Sequence, residues 1–450
     1  MKLACVVKGG LVVYPELTRR ADVGIEEGRI AAVSAPGALE GRREIAAPGC
    51  YVLPGLIDPH VHPAYLESVS EVSRGAAFGG ITTVIHYANA RPGQSLVEVL
   101  RGYREEGEAA ACTDFGLHGG LLDSRRQAEE IPAAFRMGVS SFKVFMAYAK
   151  LGWMSDDYAM ARVMELVARE GGMVCVHAET GLAIDYIMDR MLAEKADFAE
   201  RFPETSPDIA EGEGIFRAVS IGRLMGCAVY IPHVSSAEGL EVVRFLKGRG
   251  IRMYAETCPQ YLGLTWEQLK GRGPLGKVGP AIKTERDRQA LWGGIREGLF
   301  DTIASDHAPK DKKVEEDFYE APYGSPGVET TLPVIWQRGV NEGRITPNEL
   351  VALLSENAAR LMGLFPRKGR LDPGADADLV VFDPGESWTI SAGNQHGKAP
   401  YTLFEGLQVT GRVRMVLASG EPVVEAGELV GEPGRGRFLP TRAGGDYSRS

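Results

Sequence analysis

Eight apolar runs of strand-forming residues recur through the middle of the chain, at residues 51–58, 81–87, 113–118, 140–146, 173–177, 228–233, 251–255 and 302–305. Most carry Val, Ile, Phe or Tyr on both faces, as strands covered on both sides must. Helical patterns separate them, among them residues 95–106, 125–137, 156–169, 238–247 and 285–297. Repeated strand–helix alternation specifies a parallel sheet, because each parallel return needs a crossover. Eight such units suffice to close the sheet on itself. The expected fold class is therefore α/β, a (β/α)8 TIM-type barrel. An open doubly wound sheet competes less well, since no GxGxxG follows the first run.

The two ends follow a different pattern. Residues 3–13, 22–33 and 43–47 are short strand patterns separated by turns, and residues 378–382 and 413–424 repeat the pattern, with SGEPV at 419–423 as a turn. Neither end has enough apolar surface to fold alone. One small β-sandwich domain built from both termini is expected, from residues 1–50 and 367–433, flanking a barrel at 51–366. Residues 434–450 are polar, with Gly and Arg, and are expected to be a C-terminal tail on a surface or a neighbouring subunit.

Fifty basic against 60 acidic residues give a net charge of −10, which argues against nucleic acid as the main partner. No run approaches the roughly 18 apolar residues of a membrane helix, so no membrane partner is expected. Lys8 and two glycines break the N-terminal apolar stretch, unlike a secretory signal. The six cysteines are scattered without a CxxC pair and fit buried small side chains in a reducing cytoplasm.

Titratable residues fall at the ends of the apolar runs. In GLIDPHVH, His60 and His62 are two apart on a strand and project to the same side. Lys143 sits inside SSFKVFMAY, where its charge is costly unless removed or paired. His177 ends VCVHAE, His233 follows VYIP, and Asp306 follows TIAS. Barrel strands end together at one mouth, so five strand ends would deliver four His, one Lys and one Asp to it. Imidazole and carboxylate suit divalent metals. Each residue alone is more simply a hydrogen-bonded core group, but their convergence is harder to explain that way. His118 is expected to line or support the mouth, and His307, pointing away from Asp306, to support a ligand. His86 would either line the pocket or make a structural hydrogen bond. Tyr65, Trp153 and Met154, aromatic or flexible apolar residues in mouth loops, would either form an apolar pocket wall or pack at the surface.

PGLIDPHVH, GITTVIHY, SSFKVFMAY, VHAET, HVSSAEGLE, YAETCPQYL, ALWGGIREGLFDTIASDHAP and GSPGVETTLP span residues 54–333, and LDPGADADLVVFDP follows at 371–384. Together they resemble the cyclic amidohydrolases, in particular the dihydropyrimidinase/hydantoinase branch. That resemblance implies two divalent metal ions, with zinc the default. His60, His62 and Asp306 would hold one and His177 and His233 the other. Lys143, carrying a carbamate from CO2, would bridge them. Paired cations lower the pKa of a water between them. The implied chemistry is hydroxide attack on an amide carbonyl, with Asp306 as general acid/base and Tyr148 stabilising the oxyanion. Backbone groups at Gly279 and Tyr323 would hold the ring; these residues depart from the usual Ser and Asn. Asn89 is a further substrate-binding candidate.

The activity implied is opening of hydantoin or dihydropyrimidine rings to N-carbamoyl amino acids, with a small cyclic ureide as partner. Dihydroorotase, allantoinase and a non-catalytic scaffold relative are the alternatives. Dihydroorotases usually carry an Arg shortly after HxH, where Pro63, Ala64 and Tyr65 stand here. Arg91, close to Asn89, would have to reach inward instead. Neutral rings are therefore expected to be preferred over dihydroorotate. The resemblance also implies a homotetramer or homodimer.

Overall fold

In the computed structural model, which describes residues 2–63 and 65–444, eight parallel strands pair in chain order. They are Leu56–Val61 (β1), Ile81–Ala90 (β2), Asp114–Leu121 (β3), Ser141–Phe145 (β4), Met173–His177 (β5), Ala228–Ile231 (β6), Met253–Thr257 (β7) and Thr302–Ile303 (β8). A parallel bridge between Val61 and His307 joins the two edges, and the His62 N–H donates to the His307 carbonyl at 2.8 Å. The barrel is thus nearly closed. Strand alternation sorts its side chains into two layers. Phe142 and Val144 pack into the large cluster that includes the helices. Ile57, Ile85, Tyr87, Cys175 and Tyr230 share a second cluster, the barrel interior.

Two expected elements are divided. The run 51–58 is two strands: Tyr51–Pro54 pairs with Leu3–Val13 and Leu379–Thr389 in the other sheet, and β1 starts only at Leu56. Gly55 makes the crossing. A Cβ there would lie 2.2 Å from Thr82 Oγ1 and 2.9 Å from the Asp378 Cβ, so only glycine passes between the sheets. Residues 125–137 form Ser124–Gln127, a 3₁₀ turn at Ala128–Glu130, and Ile131–Arg136. Pro132 lacks the N–H that an uninterrupted helix needs and sits in the first turn of the last piece, where none is required.

The terminal domain is a nine-stranded mixed sheet built from both ends of the chain, with Val7, Val12, Val23, Leu379, Val381 and Leu417 in its core. The described part of the expected tail departs from the sequence reading. Residues 434–444 run along the barrel's own N-terminal floor: Phe115 N–H donates to the Arg437 carbonyl at 3.0 Å and Leu439 N–H to the Phe115 carbonyl at 2.7 Å. Leu439 and Ala443 are buried in the interior cluster. Two small apolar side chains in a polar segment are enough to stopper the barrel. Residues 445–450 lie outside the described residues. Among the described residues no helix is long and apolar enough to cross a membrane.

Candidate active site

The C-terminal ends of the strands bring the six residues singled out in the sequence to one mouth. At the end of β1, the Asp58 carboxylate accepts from the His60 N–H at 3.0 Å and the Ser305 N–H at 3.3 Å, tying the HxH segment to the end of β8. His60 Nε2 lies 3.1 Å from His62 Nε2 and 3.0 Å from Asp306 Oδ1, which is 3.6 Å from His62 Nε2. These three groups could hold one metal ion. His177 Nδ1 and His233 Nε2 face each other at 3.2 Å, and the His60 and His233 rings stand 5.4 Å apart, which joins the two groups. Lys143 is fully buried, its Nζ has no hydrogen-bond partner among the described residues, and the Tyr87 and Phe145 rings lie 5.3 Å from it.

The outer nitrogens of His60 and His177 are held by carboxylates. His60 Nδ1 donates to Glu256 at 2.6 Å, and His177 Nε2 to Glu179 at 2.7 Å. Tyr230 donates to Glu256 and Ser206 to Glu179. Glu211 accepts from Ser235 N–H at 2.8 Å and Ser236 N–H at 2.9 Å, fixing the turn after His233. The sequence reading did not single out these three glutamates. Glu179 and Glu256 carried the same signal as Lys143, a charge inside an apolar strand-end phrase, in VHAET and YAETCP. His118 and His307 do support the site. His118 Nε2 donates to the Pro59 carbonyl at 2.9 Å, and His307 Nε2 to Glu67 at 3.0 Å.

Charge and solvation favour a bound cation. Burial alone would push His60 down, yet Glu256 and Asp306 hold its pKa up at about 9. Burial pushes His62 and His233 well below the ordinary histidine value, leaving neutral imidazoles. Burial also lowers Lys143 toward its neutral amine. Two carboxylates that demand positive charge, neutral imidazoles with free lone pairs and an orphaned amine all suit a metal centre. The backbone is strained here as well. Tyr148, His233 and Asp306 adopt φ of 66°, 47° and 50°, a left-handed conformation costing about 1–3 kcal/mol per non-glycine residue.

A cavity of about 450 Å³ opens above these groups. Tyr148 lines it, with burial holding its phenol well above the usual value and hence protonated. Its ring packs 4.9 Å from His177 and 5.9 Å from Tyr323. Gly279 makes this possible, because a Cβ there would lie 2.6 Å from the Tyr148 hydroxyl. Gly279, Tyr323, Tyr65 and Trp153 line the cavity; Met154 does not. Asn89 also lies outside the lining, with Nδ2 3.5 Å from His62 Nδ1, so it orients a candidate ligand. Arg91 is exposed and off the cavity wall. His86 is fully buried off the wall, and neither ring nitrogen has a hydrogen-bond partner among the described residues. The structure offers no account of it.

Comparison with known proteins follows the same lines. Residues 51–423 match the model of the amidohydrolase family. A D-hydantoinase of Ralstonia pickettii is 35% identical, over 97% of this chain and 98% of that protein. An L-hydantoinase of Paenarthrobacter aurescens is 30% identical, again over 97% and 98%. The crystal structure of a dihydropyrimidinase from Brevibacillus agri superposes with a TM-score of 0.93 at 32% identity, covering 100% of both chains.

Proposed function

The chain belongs to the amidohydrolase family and is a cyclic amidohydrolase of the hydantoinase/dihydropyrimidinase type, and from that premise we propose that it opens hydantoin or dihydropyrimidine rings to N-carbamoyl amino acids at a two-metal centre. The observation that carries this reading is Lys143, a fully buried amine without a hydrogen-bond partner among the described residues, set among His60, His62, Asp306, His177 and His233. Burial lowers its pKa, which favours the uncharged, nucleophilic form of the amine. Its nitrogen adds to the carbon of CO2 and loses a proton, which turns an unwelcome cation into a carbamate anion with two oxygen donors. His60, His62 and Asp306 would then hold one divalent ion and His177 and His233 the other. Zinc is the choice for this donor set. When bound, the ions supply an acidified water and a polarised amide carbonyl.

The remaining work belongs to the chain. Asp306 takes the proton of the attacking water and returns it to the leaving ring nitrogen. The Tyr148 phenol donates to the carbonyl oxygen as charge develops there. Backbone groups at Gly279 and Tyr323 hold the ureide edge, and Glu256 and Glu179 keep His60 and His177 oriented. We also propose a homo-oligomer acting in the cytoplasm. The six cysteines are unpaired, and Tyr186, Ile209, Phe216 and Leu224 expose large apolar side chains on the helices Gly181–Ala193 and Asp208–Met225.

The test is metal analysis beside four ring substrates. About two divalent ions per chain are expected. Hydantoin and dihydrouracil, including 5-substituted forms, should show higher kcat/KM than dihydroorotate or allantoin. A tenfold lead for dihydroorotate, about 1.4 kcal/mol of transition-state preference, would make the protein a dihydroorotase instead.

A further inference from the structure

One wall of the cavity carries a lysine with no ion-pair partner among the described residues. Lys310 follows Asp306 in SDHAPK, lines the cavity and is only partly exposed. Two other lysines on the same side are tied to the backbone. Lys277 Nζ donates to the Phe318 and Tyr319 carbonyls at 3.0 and 2.6 Å, and Lys312 Nζ to the Pro274 and Lys277 carbonyls at 3.1 and 3.0 Å. Lys310 makes no ion pair among the described residues, and its ammonium rests against the face of the Tyr65 ring. Burial first, then Lys312 and Arg91, depress its pKa to about 6 against the pull of Asp306. The surroundings supply positive charge where an ammonium needs negative charge.

Elsewhere the lining includes the apolar side chains of Leu151, Trp153, Ile184, Met188 and Phe202. A ring held over the metal ligands therefore has two directions for a substituent, one greasy and one cationic. A poorly solvated amine whose charged form lacks a counterion is the receptor that a ligand carboxylate completes, since the bound anion raises its pKa and stabilises the ammonium. Lys310 comes from the segment after β8, on the cavity wall that Arg91 does not reach.

We propose that Lys310, seated on Tyr65, is a specificity-determining residue that binds a carboxylate at the tip of the substrate's exocyclic substituent, so that the preferred substrates are cyclic ureides bearing a carboxyalkyl arm. This rests on the ring-opening activity proposed above. It differs from dihydroorotate recognition, where the carboxylate is attached to the ring itself.

A matched pair tests it: 5-(2-carboxyethyl)hydantoin and its isosteric amide, 5-(2-carbamoylethyl)hydantoin, each assayed with metal-loaded wild type, K310M and K310R. Wild type should favour the acid by about tenfold in kcat/KM, carried by KM. K310M should lose that ratio and K310R should recover part of it. Raising the ionic strength should raise KM for the acid alone in wild type, a readout that does not depend on any variant folding. A K310M ratio within twofold of wild type, a wild-type preference for the amide, or a salt-insensitive KM for the acid would overturn the proposal while leaving ring opening intact. Failure of wild type to open either ring or hydantoin itself would overturn the ring-opening reading, and this inference with it.

Discussion

Of the buried lysines, two lie at opposite ends of the barrel and have opposite surroundings. At the mouth, Lys143 is fully buried with no hydrogen-bond partner among the described residues. At the floor, Lys368 is just as inaccessible, but its Nζ lies 2.7 Å from Asp114, 3.1 Å from Asp376 and 2.5 Å from Asp378. Arg437, from the C-terminal segment, pairs with Asp114 at 2.7 Å and Asp376 at 2.8 Å. Burial pulls both ammonium groups toward neutrality. Without sufficient opposing charge Lys143 moves down, whereas the three carboxylates at the floor carry Lys368 upward. Asp114 is correspondingly held down at about 2, because Lys368 and Arg437 outweigh its burial. A buried charge that is completed by its own chain locks domains together. A buried charge left incomplete marks where something else must bind.

The same substitution at the two sites should separate these roles. Lys143→Ala is expected to lose its metal and about 10³-fold or more in activity, roughly 4 kcal/mol of transition-state stabilisation. Short carboxylic acids added to it should restore part of both, by standing in for the carbamate. Full metal content and turnover in Lys143→Ala would remove the bridge from the mechanism. The volume-matched Lys143→Met should not lower the stability of metal-free protein in denaturant melts, since it removes a polar group that has no partner. Lys368→Met should cost about 3 kcal/mol in the same melts, by leaving Asp378 without its ion-pair partner and weakening the pairing of Asp114 and Asp376, which keep Arg437, with turnover per folded molecule retained. If Lys143→Met melts earlier than Lys368→Met, the distinction between the two ends is wrong.

The mouth was the more legible end, for a physical reason. A barrel strand is apolar on both faces, so any titratable residue at its end stands out, and His60, His62, Lys143, His177, His233 and Asp306 all did. The floor gave no such contrast. Lys368 lies in FPRKGR and its partners in DPGADAD, phrases that look like solvated surface. Their burial comes from residues 434–444, whose polar composition gave no sign of docking. Asn89, at the end of β2, lies beside His62 and outside the cavity lining, and Arg91 lies exposed beyond it; position along a strand does not fix how far a side chain reaches into the pocket. Lys310, two residues beyond the DHA segment, was not singled out in the sequence. The left-handed conformations of Tyr148, His233 and Asp306 are set by tertiary packing and leave no local trace. The fold itself followed from counting units, apart from the crossing at Gly55.

Within the mouth, the next effect down should come from Asp306. Asp306→Asn keeps the shape of the side chain but removes its charge and proton-accepting capacity. Turnover should fall about 10²-fold, near 2.7 kcal/mol, with the circular dichroism spectrum unchanged. An unaltered kcat would exclude Asp306 from proton transfer.

The smallest effect probes whether the incomplete end also depends on fit. Gly279 has no partner to lose, and its value lies in the space it leaves. A Cβ at this position would stand 2.6 Å from the Tyr148 hydroxyl and 3.2 Å from the Tyr323 ring. Tyr148 cannot retreat easily, being packed against Phe145, Trp153 and His177 at ring separations of 5.9, 6.0 and 4.9 Å. Gly279→Ala should therefore displace the phenol by a few tenths of an ångström from the position where it meets the carbonyl oxygen. Hydrogen bonds to developing charge are steep in distance, so kcat should drop about tenfold, near 1.4 kcal/mol, with KM little changed. Tyr148→Phe supplies the control. If Tyr148 acts as the donor, adding Gly279→Ala to Tyr148→Phe should cost much less than it does in wild type, because the hydroxyl it would push is already gone. Equal losses in the two backgrounds would mean that Gly279 acts on the ring-binding backbone rather than through Tyr148.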